Sequence, residues 1–222
     1  MRPPLAVPQG RNYNDLMAAF SHAQTDSLTA GAEPIDQDQR IILRGMTWKD
    51  FEVLLAVRGD RGGVRAYYLE GEIELMSPSA GHEGLKTMLA RLVEAWADEV
   101  GLELNGYGSW TLKSEPNEVG AEPDECYVVD AVTKDRPDLA IEVIWTRGGL
   151  RKLDIYRGLG VREVWMLDRA NKIQIHALRP EGYVVVAKSE VLPALDLAWL
   201  AGFLANESQS RAVRALRSAM RG

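Results

Sequence analysis

The sequence predicts a mixed α/β fold, on three observations. Leu85, Met88, Leu89, Leu92, Val93, Trp96 and Val100 follow the i, i+3, i+4, i+7 spacing of a long helix with one buried face. Residues 140–167 read as strand, helix, strand, a crossover that favours parallel pairing. Two pairs of short apolar runs, 64–69 with 72–76 and 173–178 with 183–187, read as hairpins. Together they describe a mixed sheet flanked by amphipathic helices.

Residues 1–38 hold prolines and polar residues with little periodicity, and are expected to form a loosely ordered leader. A short strand is expected at 40–43. Thr47-Trp48-Lys49-Asp50 is a capping-box variant that opens a helix through about residue 57. The first hairpin turns around Glu70-Gly71. Ser77-Pro78-Ser79 ends it and starts the long helix, with His82 and Glu83 in its first turn. Strands are expected near 102–105 and 109–112. Gly148-Gly149 opens a helix over 150–159, and Gly160-Val161-Arg162-Glu163 turns into the apolar strand 164–167. A terminal helical region begins at Leu195. The chain divides into the leader 1–38, a domain over 39–205 and an Arg-rich C-terminal helix over 206–222. In that helix Arg211, Arg214, Arg217 and Arg221 recur at helical intervals, as on a solvated face.

Composition narrows the function classes. The 222 residues suit one domain with appended material, and 46% hydrophobic residues supply a substantial core. No apolar run reaches the roughly 18 residues needed to span a bilayer, and the N-terminus lacks a secretory apolar region, so a cytoplasmic protein without membrane contact is expected. The single cysteine, Cys126, excludes an internal disulfide and a cysteine-based zinc site. His22, His82 and His176 are too scattered for a histidine metal centre. With a net charge of −6, any grip on nucleic acid must be local or run through a metal.

The chemistry concentrates in Glu122-Pro123-Asp124-Glu125-Cys126-Tyr127 and Pro137-Asp138-Leu139-Ala140-Ile141-Glu142-Val143-Ile144. Each reads as a strand that begins just after a proline. The midpoint of positions 124 and 142 is 133, inside the polar loop 130–136, so an antiparallel pair sets Asp124 opposite Glu142. Directly opposed residues have Cβ atoms roughly 4.5–5.5 Å apart. Two carboxylates at that spacing repel unless a cation lies between them, and oxygen-only ligation suits Mg²⁺ or Mn²⁺. Asp138 is a poorer partner: on the same strand as Glu142 it lies roughly 13 Å away. The bland alternative is that Asp124 caps a turn while Glu142 pairs with an arginine at a sheet rim.

Gly71-Glu72-Ile73-Glu74-Leu75-Met76-Ser77-Pro78 followed by His82-Glu83 resembles the front half of the Uma2 family, restriction-endonuclease-like proteins abundant in cyanobacteria and some other bacteria. Residues 107–113, 120–127, 136–146, 152–156 and 160–165 resemble one subgroup of it, so the likeness covers roughly 40–205. It implies a restriction-endonuclease-like PD-(D/E)XK fold with a mixed central β-sheet flanked by α-helices, supporting divalent-metal hydrolysis of phosphodiesters. DNA is the partner it implies. A homodimer is compatible, since cutting both strands of a duplex is easiest with two active sites. Carried over by residue, Pro123-Asp124 is the PD element, Glu142 the second acidic ligand, and the Val143 carbonyl a third. The general motif's lysine is replaced by Ile144, and Lys152 resembles the position to which the family moves that charge; otherwise Lys152 is a solvated helix lysine. Glu83 matches an acidic residue often contributed by the first long helix, with Glu72 a second candidate. His82 is either a catalytic group or a structural contact. Glu122 flanks the site, Asp138 starts its strand, and Trp110, Trp145 and Trp165 are core or rim aromatics. The missing in-strand lysine and the negative charge leave a second reading open, a catalytically degenerate module that binds nucleic acid or protein.

Overall fold

The computed structural model describes residues 36–59, 61–130 and 134–222. The expected leader therefore lies outside the described residues as far as residue 35. Among the described residues eleven strands form two sheets. The first five are β1 (Gln39–Arg44), β2 (Arg65–Leu69), β3 (Glu72–Ser77), β4 (Leu104–Gly106) and β5 (Leu112–Ser114). The remainder are β6 (Val119–Ala121), β7 (Glu125–Val129), β8 (Leu139–Ile144), β9 (Glu163–Asp168), β10 (Ile173–Arg179) and β11 (Gly182–Val186). The helices are α1 (Trp48–Arg58), α2 (Ala80–Val100), α3 (Lys152–Leu159), α4 (Leu197–Ala201) and α5 (Gln209–Arg221).

The mixed sheet runs β11-β10-β9-β8-β7-β4, and β8 pairs β9 in parallel across the α3 crossover, as the strand–helix–strand pattern requires. A second, antiparallel sheet runs β1-β3-β2-β6-β5 and takes in the first hairpin. β8 is buried on both faces, so its residues sort by parity. Leu139, Ile141 and Val143 enter the core beneath α2 and α5, whereas Ala140 enters a second core built around α3. That second core joins the sheets: Tyr67, Leu69 and Met76 come from one, Ala140 and Val164 from the other, and Ile155, Tyr156 and Leu159 from α3 between them. Glu142 shares its face with Ala140. The strand thus delivers a carboxylate into the seam between the sheets.

Local chemistry sets the element ends. Thr47 and Asp50 form the full capping box at α1, with Thr47 N donating to Asp50 Oδ2 at 2.8 Å and Asp50 N to Thr47 Oγ1 at 3.2 Å. Val100 departs from the expected buried stripe: it is the last residue of α2, beside the left-handed cap at Gly101, and is exposed. Leu102 N closes that cap on Ala97 O, so β4 begins two residues later than the apolar run predicts. β6 has no strong strand signal because Gly120 occupies its centre. The glycine is required there, since a Cβ would lie 2.4 Å from Cε1 of buried Phe51.

The C-terminal helix α5 is amphipathic and docked. Ala212 and Leu216 are fully buried in the α2 core, while Arg217 and Arg221 pair with Asp98 and Glu99 on α2. Leu216→Ala should lower stability by about 2–4 kcal/mol, the usual result for a core leucine. Ala at exposed Arg214 should change it by less than about 0.5 kcal/mol. Urea unfolding of the two variants checks this; equal effects would mean that α5 does not dock.

Candidate active site

The six-stranded sheet supplies the acidic pair. Glu125, Cys126 and Tyr127 face Ile141, Ala140 and Leu139, so the ladder extended by one step sets Asp124 opposite Glu142, the register that the midpoint at 133 predicts. Val143 N donates to Asp124 Oδ2 at 2.7 Å, holding Asp124 in line with the strand although β7 begins one residue later. Asp124 is 0% and Glu142 2% exposed. Burying two carboxylates this fully demands compensation from charges and donors.

The five-stranded sheet and the helices provide it. Arg65 Nε, from β2, lies 3.0 Å from Asp124 Oδ1. His82 Nε2, from the first turn of α2, lies 2.9 Å from Oδ2. Both contacts are ion pairs rather than aligned hydrogen bonds, because Arg65 Nε, His82 Nε2 and Asp124 Oδ1 are all buried without a hydrogen-bond partner. Arg65 continues outward to Glu83 at 2.7 Å, and Glu83 to Lys86 at 2.8 Å, so alternating charges run from the surface to Asp124. Glu142 accepts hydrogen bonds from Tyr156 of α3 and, at 3.4 Å, from Tyr67 of β2.

Lys152, in the first turn of α3, is largely shielded from solvent, and its ammonium is buried. Its Nζ sits over the Tyr67 ring, 3.9 Å from Glu142 Oε2 and 3.9 Å from Glu74 Oε1, with no hydrogen-bond partner. The solvated-lysine alternative fails, because the side chain is only 12% exposed. Glu74 also accepts from Arg40 Nε at 2.9 Å and Leu150 N at 2.6 Å. That approach needs Gly149: its φ is +90°, and a Cβ there would lie 2.4 Å from Glu74 Oε2.

The environments push the two carboxyls apart. Burial drives Glu142 up to about 7, with Lys152 opposing the rise and Asp124 adding to it. Burial acts on Asp124 in the same direction, yet the His82 and Arg65 charges outweigh it and hold Asp124 below its ordinary value. Burial lowers the Lys152 ammonium, against the pull of Glu142 and Glu74. Burial also disfavours charge on His82, but the carboxylates of Asp124 and Asp38 prevail and raise it to about 9.

Of the residues singled out from the sequence, Asp124, Glu142, Val143, His82 and Lys152 converge, and Glu83 joins them through Arg65. Glu122 does not take part: Arg58, Thr111 Oγ1 and Ala66 N occupy its carboxylate, which ties α1 to β2. Glu72 pairs with Arg44 at the surface. Asp138 fixes the start of β8 by accepting from Val129 N at 2.9 Å. Arg65, Tyr67, Glu74, Tyr156 and Asp38 went unread. Tyr67 and Glu74 were within reach, since the hairpin about 70–71 sets them opposite one another.

His82 makes stability depend on pH. Its folded value of about 9 exceeds the ordinary 6.5, so its contribution is complete below 6.5 and is lost as pH rises through about 9. Without divalent metal, the melting temperature of the wild type should fall over this window relative to His82→Gln. Calorimetry on both proteins across the window measures the difference; parallel curves would refute the assignment.

The Uma2 family model, described as "Putative restriction endonuclease", matches residues 48–205. Curated proteins give no match. Among solved structures, a "putative nuclease belonging to DUF820" from Anabaena variabilis aligns with 72% of this chain and 99% of its own, at 13% identity and a TM-score of 0.49. The mixed α/β class expected from the sequence is the class observed, and with the family model covering most of its length the chain belongs to the Uma2 family.

Proposed function

We propose that the protein is a divalent-metal-dependent endonuclease that hydrolyses phosphodiester bonds in DNA. The observation that carries this reading is the opposition of Asp124 and Glu142, with a buried, unbonded lysine ammonium 3.9 Å from the latter. The family description supports the same reaction class.

The donor set fits Mg²⁺ or Mn²⁺. Asp124 Oδ1 is a buried carboxylate oxygen with an ion pair to Arg65 but no aligned hydrogen bond, and both acidic ligands are hard oxygen donors. No cluster of three or more His, Cys, Asp or Glu side chains forms a metal cage among the described residues. Mg²⁺ does not need one, because it is commonly held by one or two carboxylates while keeping several waters. Asp124, Glu142 and the Val143 carbonyl would hold it. The chemistry a divalent cation supplies there is acidification of a water and neutralisation of phosphate charge.

The protein's own groups do the rest. Val143 N and His82 fix Asp124 Oδ2, while Oδ1 faces Arg65 Nε at 3.0 Å and would exchange that ion pair for the metal. Tyr156 and Tyr67 orient Glu142 through their hydroxyls. Lys152 orients the attacking water or offsets negative charge that develops on the phosphate. Glu83, 39% exposed between Arg65 and Lys86, borders the approach from solvent.

One observation favours a non-cleaving binding module instead: His82, Arg65 and Lys152 already neutralise the acidic pair from within the chain. Cleavage of supercoiled, linear and single-stranded DNA, with Mg²⁺, Mn²⁺ or chelator, separates the two. Metal-dependent cutting is expected for the wild type and none for Asp124→Ala. Lys152→Met should lose about 10²–10³-fold in kcat. Undiminished cutting by Asp124→Ala would overturn the ligand assignment. A folded wild type that gains thermal stability from metal but cuts nothing would favour the binding module.

A further inference from the structure

We propose that Asp38 is a positioning residue for Asp124, acting through His82. The inference rests on the reading of Asp124 as a metal ligand and extends the site to a residue upstream of the stretch that the family model matches, 48–205. Asp38 precedes β1, yet its side chain is only 1% exposed. Its Oδ1 and Oδ2 lie 3.0 and 3.1 Å from His82 Nδ1. Oδ1 also accepts from Ser79 N at 3.0 Å, and the Asp38 backbone N–H donates to Thr146 Oγ1 at 3.1 Å. The residue is thereby tied both to the start of α2 and to the loop that follows β8.

His82 transmits this placement. Its side chain is fully buried, with Nδ1 against Asp38 and Nε2 2.9 Å from Asp124 Oδ2. A ring held at both nitrogens cannot turn without breaking one contact. Oδ2 meets His82 and Val143 N together, which fixes the rotation of the Asp124 carboxylate and determines where Oδ1 is presented. Outer partners of this kind commonly change metal affinity or activity 10–100-fold when removed. The competing role, a simple cap for α2, is already filled: the Ser79 side chain accepts from His82 N at 3.2 Å.

The test uses the full chain and four proteins: wild type, Asp38→Asn, His82→Gln and the double variant. Mn²⁺ affinity is read by titration calorimetry, folding by thermal melting, and kcat and KM on DNA. Asp38→Asn should weaken Mn²⁺ binding by about tenfold or more and lower kcat, with KM for DNA unchanged. In the His82→Gln background the same substitution should add less than about twofold, because non-additivity marks groups that act as one unit. Wild-type Mn²⁺ affinity and kcat in folded Asp38→Asn, whatever its melting temperature, would reduce Asp38 to a structural role. Additive losses would overturn transmission through His82. If Asp38→Asn does not fold, His82→Gln carries the test alone, and wild-type affinity there overturns the proposal. No Mn²⁺ binding by the wild type removes the metal reading itself, an outcome distinct from the others.

Discussion

The constraint on which this structure depends is the burial of opposite charges in the seam between two sheets. Asp38, Glu74, Asp124 and Glu142 are all withdrawn from water, and each meets a cationic partner: His82, Arg40, Arg65 and Lys152 respectively. Desolvating a carboxylate costs several kcal/mol, and mutual attraction offsets this only where geometry and added donors allow. Removing one partner from such a pair commonly costs about 3–5 kcal/mol, because the other is left buried and unpaired. The seam therefore stays assembled only as a complete set. Apolar packing around α3 brings the sheets together, but the charges decide how closely and in which register their polar faces meet.

That set is not uniformly satisfied. Arg65 Nε, His82 Nε2, Asp124 Oδ1 and Lys152 Nζ are buried close to opposite charges yet lack aligned hydrogen bonds. Elsewhere buried carboxylates are fully engaged; Glu163 accepts from Trp165, Ser189, Glu190 and Val191. Buried polar atoms in native proteins are overwhelmingly paired, and exceptions concentrate where function needs them. Among the described residues most of the exceptions gather around the acidic pair, while Trp48 Nε1, Arg58 Nε and Arg217 Nε lie elsewhere. Glu163 is satisfied by neutral donors alone, whereas Asp124 Oδ1 meets Arg65 Nε at 3.0 Å without an aligned hydrogen bond.

The acidic pair was legible because two prolines mark the strand starts and arithmetic on the loop midpoint gives the register. The capping box at Thr47, the long helix and the parallel crossover were equally plain, since each is encoded within a short window. What escaped depended on pairing across the molecule. Arg65 and Glu74 look like ordinary charges on a surface hairpin until that hairpin packs against α3. Asp38 ends a stretch whose composition reads as loose leader, and only its contacts with His82, Ser79 and Thr146 give it a place. β6 was missed because its central glycine, which weakens the strand signal, exists to admit Phe51.

The position of the lysine follows from the same seam. Residue 144 lies on the same face of β8 as Glu142 but at the strand end, where Ile144 is 38% exposed. A lysine there would extend from the rim of one sheet. Lys152 instead enters from α3, after the Gly148-Gly149 turn has let Leu150 N reach Glu74. Its ammonium stands equally far from a carboxylate of each sheet, Glu74 on β3 and Glu142 on β8. From the helix, one cation thus serves both sheets. The same side chain that lies beside the acidic pair also helps hold the seam closed, so the geometry of the site and the packing of the two sheets cannot be altered independently.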